Sequence, residues 1–186
     1  KAFLTDCGSE AANLGMQVLG GHGYIRDNGQ EQLVRDVRVT QIYEGTNGVQ
    51  ALDFVGRKIL GDGGRALEEA ITRIGRETSG SNNDAMALAI AKLKSAARHV
   101  LGSGNAPDEA GAAATDFLRL FALTEIGRHW LRVVEIARAR PDDAFHRAKL
   151  ATARFYFARI LPQTAALHAA ITSGAETVMA MPADSF

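Results

Sequence analysis

Ile42-Tyr43-Glu44-Gly45-Thr46-Asn47-Gly48-Val49-Gln50 is the stretch on which the reading of this chain turns. It sets one carboxylate, Glu44, between an aromatic residue and a glycine, just before an apolar run through Leu52, Val55 and Ile59. The run has helical spacing, so Thr46 or Asn47 is expected to cap a helix whose apolar stripe extends to Leu60. An acidic residue near a helix start complements the macrodipole in any protein. It is also where a general base can stand. Spacing alone leaves both readings open.

Upstream, Phe3, Leu4, Cys7, Ala11, Leu14 and Val18 recur at helical steps. Gly20-Gly21-His22-Gly23 is expected to stop that helix, since glycine takes the left-handed conformation that closes a helix C-terminus. Three glycines exceed what a stop requires, and close backbone approach to a ligand or another subunit is the usual further reason. Tyr24 to Gln30 reads as a loop with an Asp27-Asn28-Gly29 turn. Glu31 to Val39 reads as a short helix. Arg35, Asp36 and Arg38 form a basic-acidic cluster, read as structural ion pairs. The best strand candidate, Val37 to Ile42, is short.

Downstream, Gly61-Asp62-Gly63-Gly64 is the clearest break and divides the chain into residues 1–60 and 65–186. Beyond it, helices are expected over about 65–78, with Leu67, Ala70, Ile71 and Ile74 on one face, and over 85–101. Gly102 to Pro107 ends the second of these. A long helix follows over 108–138, striped by Phe117, Leu120, Phe121, Thr124, Gly127, Leu131 and Val134. Asp142 is a candidate N-cap for a last long helix, 144–173, which Pro162 should kink or interrupt. Ala110 to Ala114, Ala165, Ala166, Ala169 and Ala170 would let these helices approach closely. Amphipathic helices with short links are the pattern of an antiparallel bundle. The fold class is therefore all-α.

The 186 residues carry 21 basic and 21 acidic side chains, a formal net charge of zero. That balance offers no footprint for nucleic acid or an anionic membrane. No apolar run approaches the ~20 residues needed to span a bilayer. A single cysteine, Cys7, excludes an internal disulfide and fits a reducing, cytoplasmic setting. The chain opens in mid-helix, so a fragment of a larger protein is expected.

Most chemical motifs fail. Gly21-His22-Gly23 lacks the third glycine of a dinucleotide loop, because position 26 is Arg26, and it follows a helix rather than a strand. The histidines His22, His99, His129, His146 and His168 show no metal-ligand spacing, so no metal is expected. Neither a nucleophile-elbow serine nor a phosphate-binding loop is present.

Gln17-Val18-Leu19-Gly20-Gly21-His22-Gly23-Tyr24, then Arg35-Asp36-Val37-Arg38, then Ile42 to Gln50 resembles, in that order and spacing, the C-terminal helical domain of acyl-CoA dehydrogenases. Residues after Gly64 resemble, by helical pattern and position, the additional C-terminal helical domain of the larger bacterial members. The resemblance implies a partial C-terminal helical unit over 1–60 followed by an antiparallel bundle over 65–186. It implies FAD, an acyl-CoA substrate desaturated between its α and β carbons, and a place in fatty acid β-oxidation or related lipid metabolism. It also implies an electron-transferring flavoprotein as acceptor and a homo-oligomer, dimer or tetramer.

By the same resemblance Glu44 matches the catalytic base, and its backbone N–H one donor to the thioester oxygen. Tyr43 matches the aromatic border of the acyl pocket, and Gly45 the tight turn beside the ring system. Gln17, Gly21 and Thr46 match positions that contact FAD, whereas Gly48 stands where many members carry a glutamine against the adenine. The domains that hold most of the flavin are not in this sequence, so these residues alone are expected neither to retain FAD nor to turn over substrate. The alternative from a different class is a non-enzymatic helical module for oligomerisation or partner binding.

Overall fold

The computed structural model describes residues 1–104 and 106–185; Asn105, within the expected Gly102–Pro107 helix end, lies outside them. Every regular element among the described residues is helical. The stretch Val37 to Ile42, the strand candidate, ends one helix and forms a 3-10 turn over Val39–Gln41. The chain separates into two compact units, Lys1–Asp53 and Phe54–Phe186. The contact boundary thus falls several residues before the glycine break.

In the first unit, α1 spans Ala2–Leu19 and a one-turn helix, α2, spans Gly21–Tyr24. α3 spans Gln30–Arg38 and α4 spans Asn47–Leu52. Helix α3 packs along α1. Glycines on α1 make that approach possible: a Cβ at Gly8 would lie 3.3 Å from Val37, and one at Gly15 would lie 2.7 Å from the Gln30 amide nitrogen. That amide donates to the Ala12 carbonyl at 2.8 Å. Of the expected ion-pair cluster, Arg35 pairs with Glu31 at 2.8 Å and Arg38 bonds Gln41 at 2.7 Å. Asp36 joins neither, so the three residues make two separate helix-surface contacts rather than one cluster. Such exposed pairs stabilise by well under ~1 kcal/mol.

The second unit holds α5 (Arg65–Thr78), α6 (Asp84–Gly102), α7 (Pro107–Arg138), α8 (Ala144–Phe155), α9 (Thr164–Thr172) and α10 (Glu176–Met179). Capping side chains start two of them. Asn83 accepts from the Met86 amide and Asp143, rather than Asp142, accepts from the His146 amide, both at 2.9 Å. The latter bond is the main reason the Asp143 carboxyl sits below the usual carboxylate range. Asp62 bonds the amides of Gly64 and Ala66 at 3.0 Å and so fixes the start of α5.

The core of this unit is built from Leu67, Ile71 and Ile74 of α5, Met86, Leu93 and Val100 of α6, and Phe117 and Leu120 of α7, with Leu161 and Ile171 closing it. Phe54 stacks on Phe117 and Phe121, ring centroids 6.2 and 5.5 Å apart. Gly127 admits Met86, whose sulfur would lie 2.8 Å from a Cβ there. The expected small-residue contacts are borne out only on one side. Ala113 and Ala114 are buried, but Ala165, Ala166, Ala169 and Ala170 face solvent, because α9 turns Thr164 and Ile171 inward instead.

The expected interruption near Pro162 is resolved into a π-helical turn, Tyr156–Ile160, and a 3-10 turn, Leu161–Gln163. Proline lacks the N–H that an α-helix would use there, and the wider and tighter turns absorb the missing bond. Helix α7 runs for 32 residues, far beyond α5. Past Gly127 its stripe is only half-buried at Leu131 and Val134, which line an open groove of about 1480 Å³ with Leu150, Phe157 and the rim arginines Arg138 and Arg154.

Two expectations follow for stability. Phe117→Ala should lower the unfolding free energy by ~3–5 kcal/mol, the usual cost of emptying a sealed aromatic site, read from urea denaturation. His168 on α9 has an Nε2 sealed from solvent with no hydrogen-bond partner among the described residues. Burial, then electrostatic repulsion from the side of Lys92 and His99, pushes its pKa below the usual imidazole value. Above ~6.5 both folded and unfolded chains hold the neutral ring; below it the unfolded chain takes the proton first, so stability falls as pH falls. His168→Leu should flatten that acid limb in a series of urea midpoints against pH.

Candidate functional site

The turn between α3 and α4 concentrates the unusual backbone of the first unit. Glu44 has φ +54°, in the left-handed region that residues with a Cβ rarely adopt, and Gly45 follows at φ +83°. The 3-10 turn before it ends with the amides of Ile42 and Tyr43 both bonded to the Val39 carbonyl, at 3.0 and 3.1 Å. Helix α4 after it begins when the Gln50 amide bonds the Thr46 carbonyl at 3.0 Å. Thr46 is the N-cap residue, one of the two expected, but its side chain makes no capping bond.

Asn47, the other expected cap, does something else. It sits at the first helical position and reaches across to α1. Its Nδ2 donates to Asp6 Oδ1 at 2.6 Å, to Thr5 Oγ1 at 3.0 Å and to the Ala2 carbonyl at 3.2 Å. Its Oδ1 accepts from Lys1 Nζ at 2.7 Å. Gln41 Nε2, from the 3-10 turn, donates to the same Asp6 oxygen at 2.7 Å. One carboxylate on α1 therefore holds both flanks of the turn. The carbonyls inside the turn are also held: Lys1 Nζ donates to Gly45 at 2.9 Å and Gln50 Nε2 to Glu44 at 2.7 Å.

What remains free is the other half of Glu44. Among the described residues neither its backbone N–H nor its carboxylate has a hydrogen-bond or ion-pair partner, and the side chain is exposed. Tyr43, Gly45 and Thr46 are exposed beside it, Tyr43 at 51%.

Gln17 and Gly21 lie at the far end of α1 and the start of α2, and both are exposed. The glycine run divides in two. Gly23 is buried against α1, where a Cβ would come within 2.6 Å of the Met16 carbonyl oxygen. Its lack of a side chain thus serves packing within the chain. At Gly20, with φ +60°, and at Gly21 a Cβ would meet no atom within 4 Å, so both leave open backbone. Gln17, Gly21 and the Glu44 turn thus share the first unit, but no hydrogen bond among the described residues joins them.

The residues the sequence does not single out are Asp6, Gln41 and Gln50, together with the role of Asn47. Asp6 and Asn47 stand 41 positions apart, so no local pattern links them. No group of three or more histidine, cysteine or acidic side chains suited to a metal occurs among the described residues. No helix among them is long and apolar enough to cross a membrane.

Comparison with known proteins is decisive for the family. Residues 64–182 match the family model described as "Acetyl-CoA dehydrogenase C-terminal like", and residues 1–60 match "Acyl-CoA dehydrogenase, C-terminal domain". The chain belongs to the acyl-CoA dehydrogenase family. It is similar to 3-methylmercaptopropionyl-CoA dehydrogenase of Ruegeria pomeroyi, 35% identical over 96% of this chain and 33% of the relative. It is similar to a butyryl-CoA dehydrogenase of Syntrophomonas wolfei, 26% identical over 100% of this chain and 33% of the relative. An acyl-CoA dehydrogenase of Bacillus subtilis is 46% identical, but over only 33% of this chain and 16% of its own length. The chain thus spans about a third of the first two relatives. The two family models meet at the glycine break, whereas the contact boundary lies at Asp53, within the helical run that continues α4.

Asn47→Ala should destabilise the first unit by ~1–3 kcal/mol, since it removes the part-buried bonds to Asp6, Thr5 and the Ala2 carbonyl and leaves Asp6 with Gln41 alone. Thermal unfolding followed by circular dichroism checks this.

Proposed function

We propose that this chain is the base-bearing C-terminal part of a flavin-dependent acyl-CoA dehydrogenase, with Glu44 removing the α proton of an acyl-CoA thioester. The observation that carries this reading is the divided state of Glu44. Its carbonyl is fixed by Gln50, while its carboxylate and its N–H have no partner among the described residues. A base must be free to meet its proton, and a backbone N–H in the same residue can bond the thioester oxygen as negative charge develops there.

An ordinary glutamate, with a pKa of ~4.3, is a weak match for a thioester α proton. Substrate that closes over a carboxylate disfavours its charged form and so makes it a stronger base. The N–H bond would in turn make the α proton more acidic. Tyr43 would border the acyl chain and Gly45 would let the backbone turn close to it.

FAD, when bound, would supply the acceptor for a β hydride, while Glu44 takes the α proton and the substrate becomes the α,β-unsaturated thioester. Gln17, Gly21 and Thr46 are the residues of this chain assigned to hold it. Their exposure and the bare backbone at Gly20 and Gly21 fit an extended ligand lying against them. The reading extends to a homo-oligomer in the cytoplasm, re-oxidised by an electron-transferring flavoprotein and serving acyl-CoA oxidation.

The test is Glu44→Gln in the full-length protein. Flavin content should stay at the wild-type level while kcat with acyl-CoA falls by at least ~10³-fold, within the range for loss of a positioned base. Near-normal turnover would remove Glu44 from the mechanism. A colourless wild-type protein would instead favour a helical module without enzymatic activity.

A further inference from the structure

Glu44 and Gly45 are two successive residues of positive φ, +54° and +83°. A residue with a Cβ holds this conformation only when its surroundings impose it. No backbone amide among the described residues bonds the Glu44 carbonyl. The group that does is the side chain of Gln50, Nε2 to O at 2.7 Å.

Gln50 is well placed for this. Its own backbone amide makes the first hydrogen bond of α4, to the Thr46 carbonyl. The residue is therefore tied at both its main chain and its side chain to the turn it follows. A Cβ at Gly45 would stand 3.2 Å from Gln50 Nε2, so the glycine leaves the amide its path to the carbonyl. The helix that carries Gln50 is in turn fixed to α1 by Asn47. A continuous series of hydrogen bonds thus runs from Asp6 through Asn47 and α4 to the Glu44 carbonyl.

We infer that Gln50 is a positioning residue for the reaction base: by holding the Glu44 carbonyl it keeps the left-handed backbone that aims the carboxylate and N–H of Glu44 outward together. The inference rests on the reading of Glu44 as the base. Gln50 itself touches neither substrate nor reacting atoms in this account. Without its amide Glu44 can relax from its positive φ, a rotation about N–Cα that turns the side chain relative to the residue's own N–H, and the carboxylate and the N–H no longer share one orientation. The damage falls on proton removal rather than on substrate binding.

The experiment compares wild type, Gln50→Met, Gln50→Lys and Glu44→Gln in the full-length flavin-loaded enzyme. Methionine keeps the length and removes the donor, whereas lysine restores a donor at similar reach. Gln50→Met should retain flavin, melting temperature and KM, while kcat falls by ~10–100-fold, as expected for a misaimed catalytic group. The deuterium isotope effect with α-deuterated acyl-CoA should rise, because proton removal becomes more rate-limiting. Gln50→Lys should recover most of kcat. Wild-type kcat and isotope effect in Gln50→Met, with Glu44→Gln inactive, would overturn the positioning role alone. So would loss of flavin or of melting temperature in Gln50→Met, which would make the residue a structural one. Normal turnover in Glu44→Gln would overturn the base assignment, and the inference with it.

Discussion

The hydrogen bonds of the Asn47 side chain to Asp6, Thr5 and the Ala2 carbonyl are the constraint on which the candidate site depends. An asparagine at the N-cap serves its own helix, but Asn47 stands one position later. Here it connects the start of α4 to the start of α1, and Asp6 extends the same hold to Gln41 before the turn. A 3-10 turn of three residues is too short to hold geometry by itself. The turn between it and α4 is fixed because both its ends are fastened to an 18-residue helix. With its flanks settled, the turn can keep a non-glycine residue at positive φ, a conformation that a free loop would relax.

The second unit solves a different problem. Its helices bury broad apolar faces, and its stability rests on sealed side chains such as Phe117, Leu93 and Ile74. Some polar contacts there are local, as in the caps at Asn83 and Asp143; others join helices, as where Arg128 of α7 bonds Glu77 of α5 as well as Glu125, its bond to Glu125 leading in raising the arginine's pKa. A distant polar tie is Glu109, which accepts from the Ala175 amide at 3.2 Å. Tyr156 adds another by donating to the Leu123 carbonyl at 2.6 Å from within the π turn. The two units thus rely on different means, a hydrogen-bond frame in one and apolar packing in the other.

Helix positions are largely legible in the sequence because apolar spacing and glycine breaks are local signals. α1, α5, α6 and α7 lie within a few residues of where periodicity puts them. The misses have physical causes. Ala165 and its neighbours read as packing residues, but alanine carries no information about which face turns inward; Thr164 and Ile171 take that face. Leu131 and Val134 continue the stripe of α7, yet a stripe does not reveal how far the opposing helices reach. Gly23 reads as part of a ligand-approach run and instead makes room for Met16 and Leu19.

For the site itself, the sequence alone determined the identity of Glu44 and its neighbours, and the match of its motifs to acyl-CoA dehydrogenases. Such information resides in residue types and spacings along a continuous stretch. Only the tertiary structure decided which atoms of that stretch are held and which are free. The partners that hold them, Asp6 with Asn47 and Gln50 with the Glu44 carbonyl, meet through folding of α1 against α4 and through a backbone turn of positive φ. Neither has a signature in local periodicity, because a hydrogen bond depends on where two groups end in space rather than on their separation along the chain.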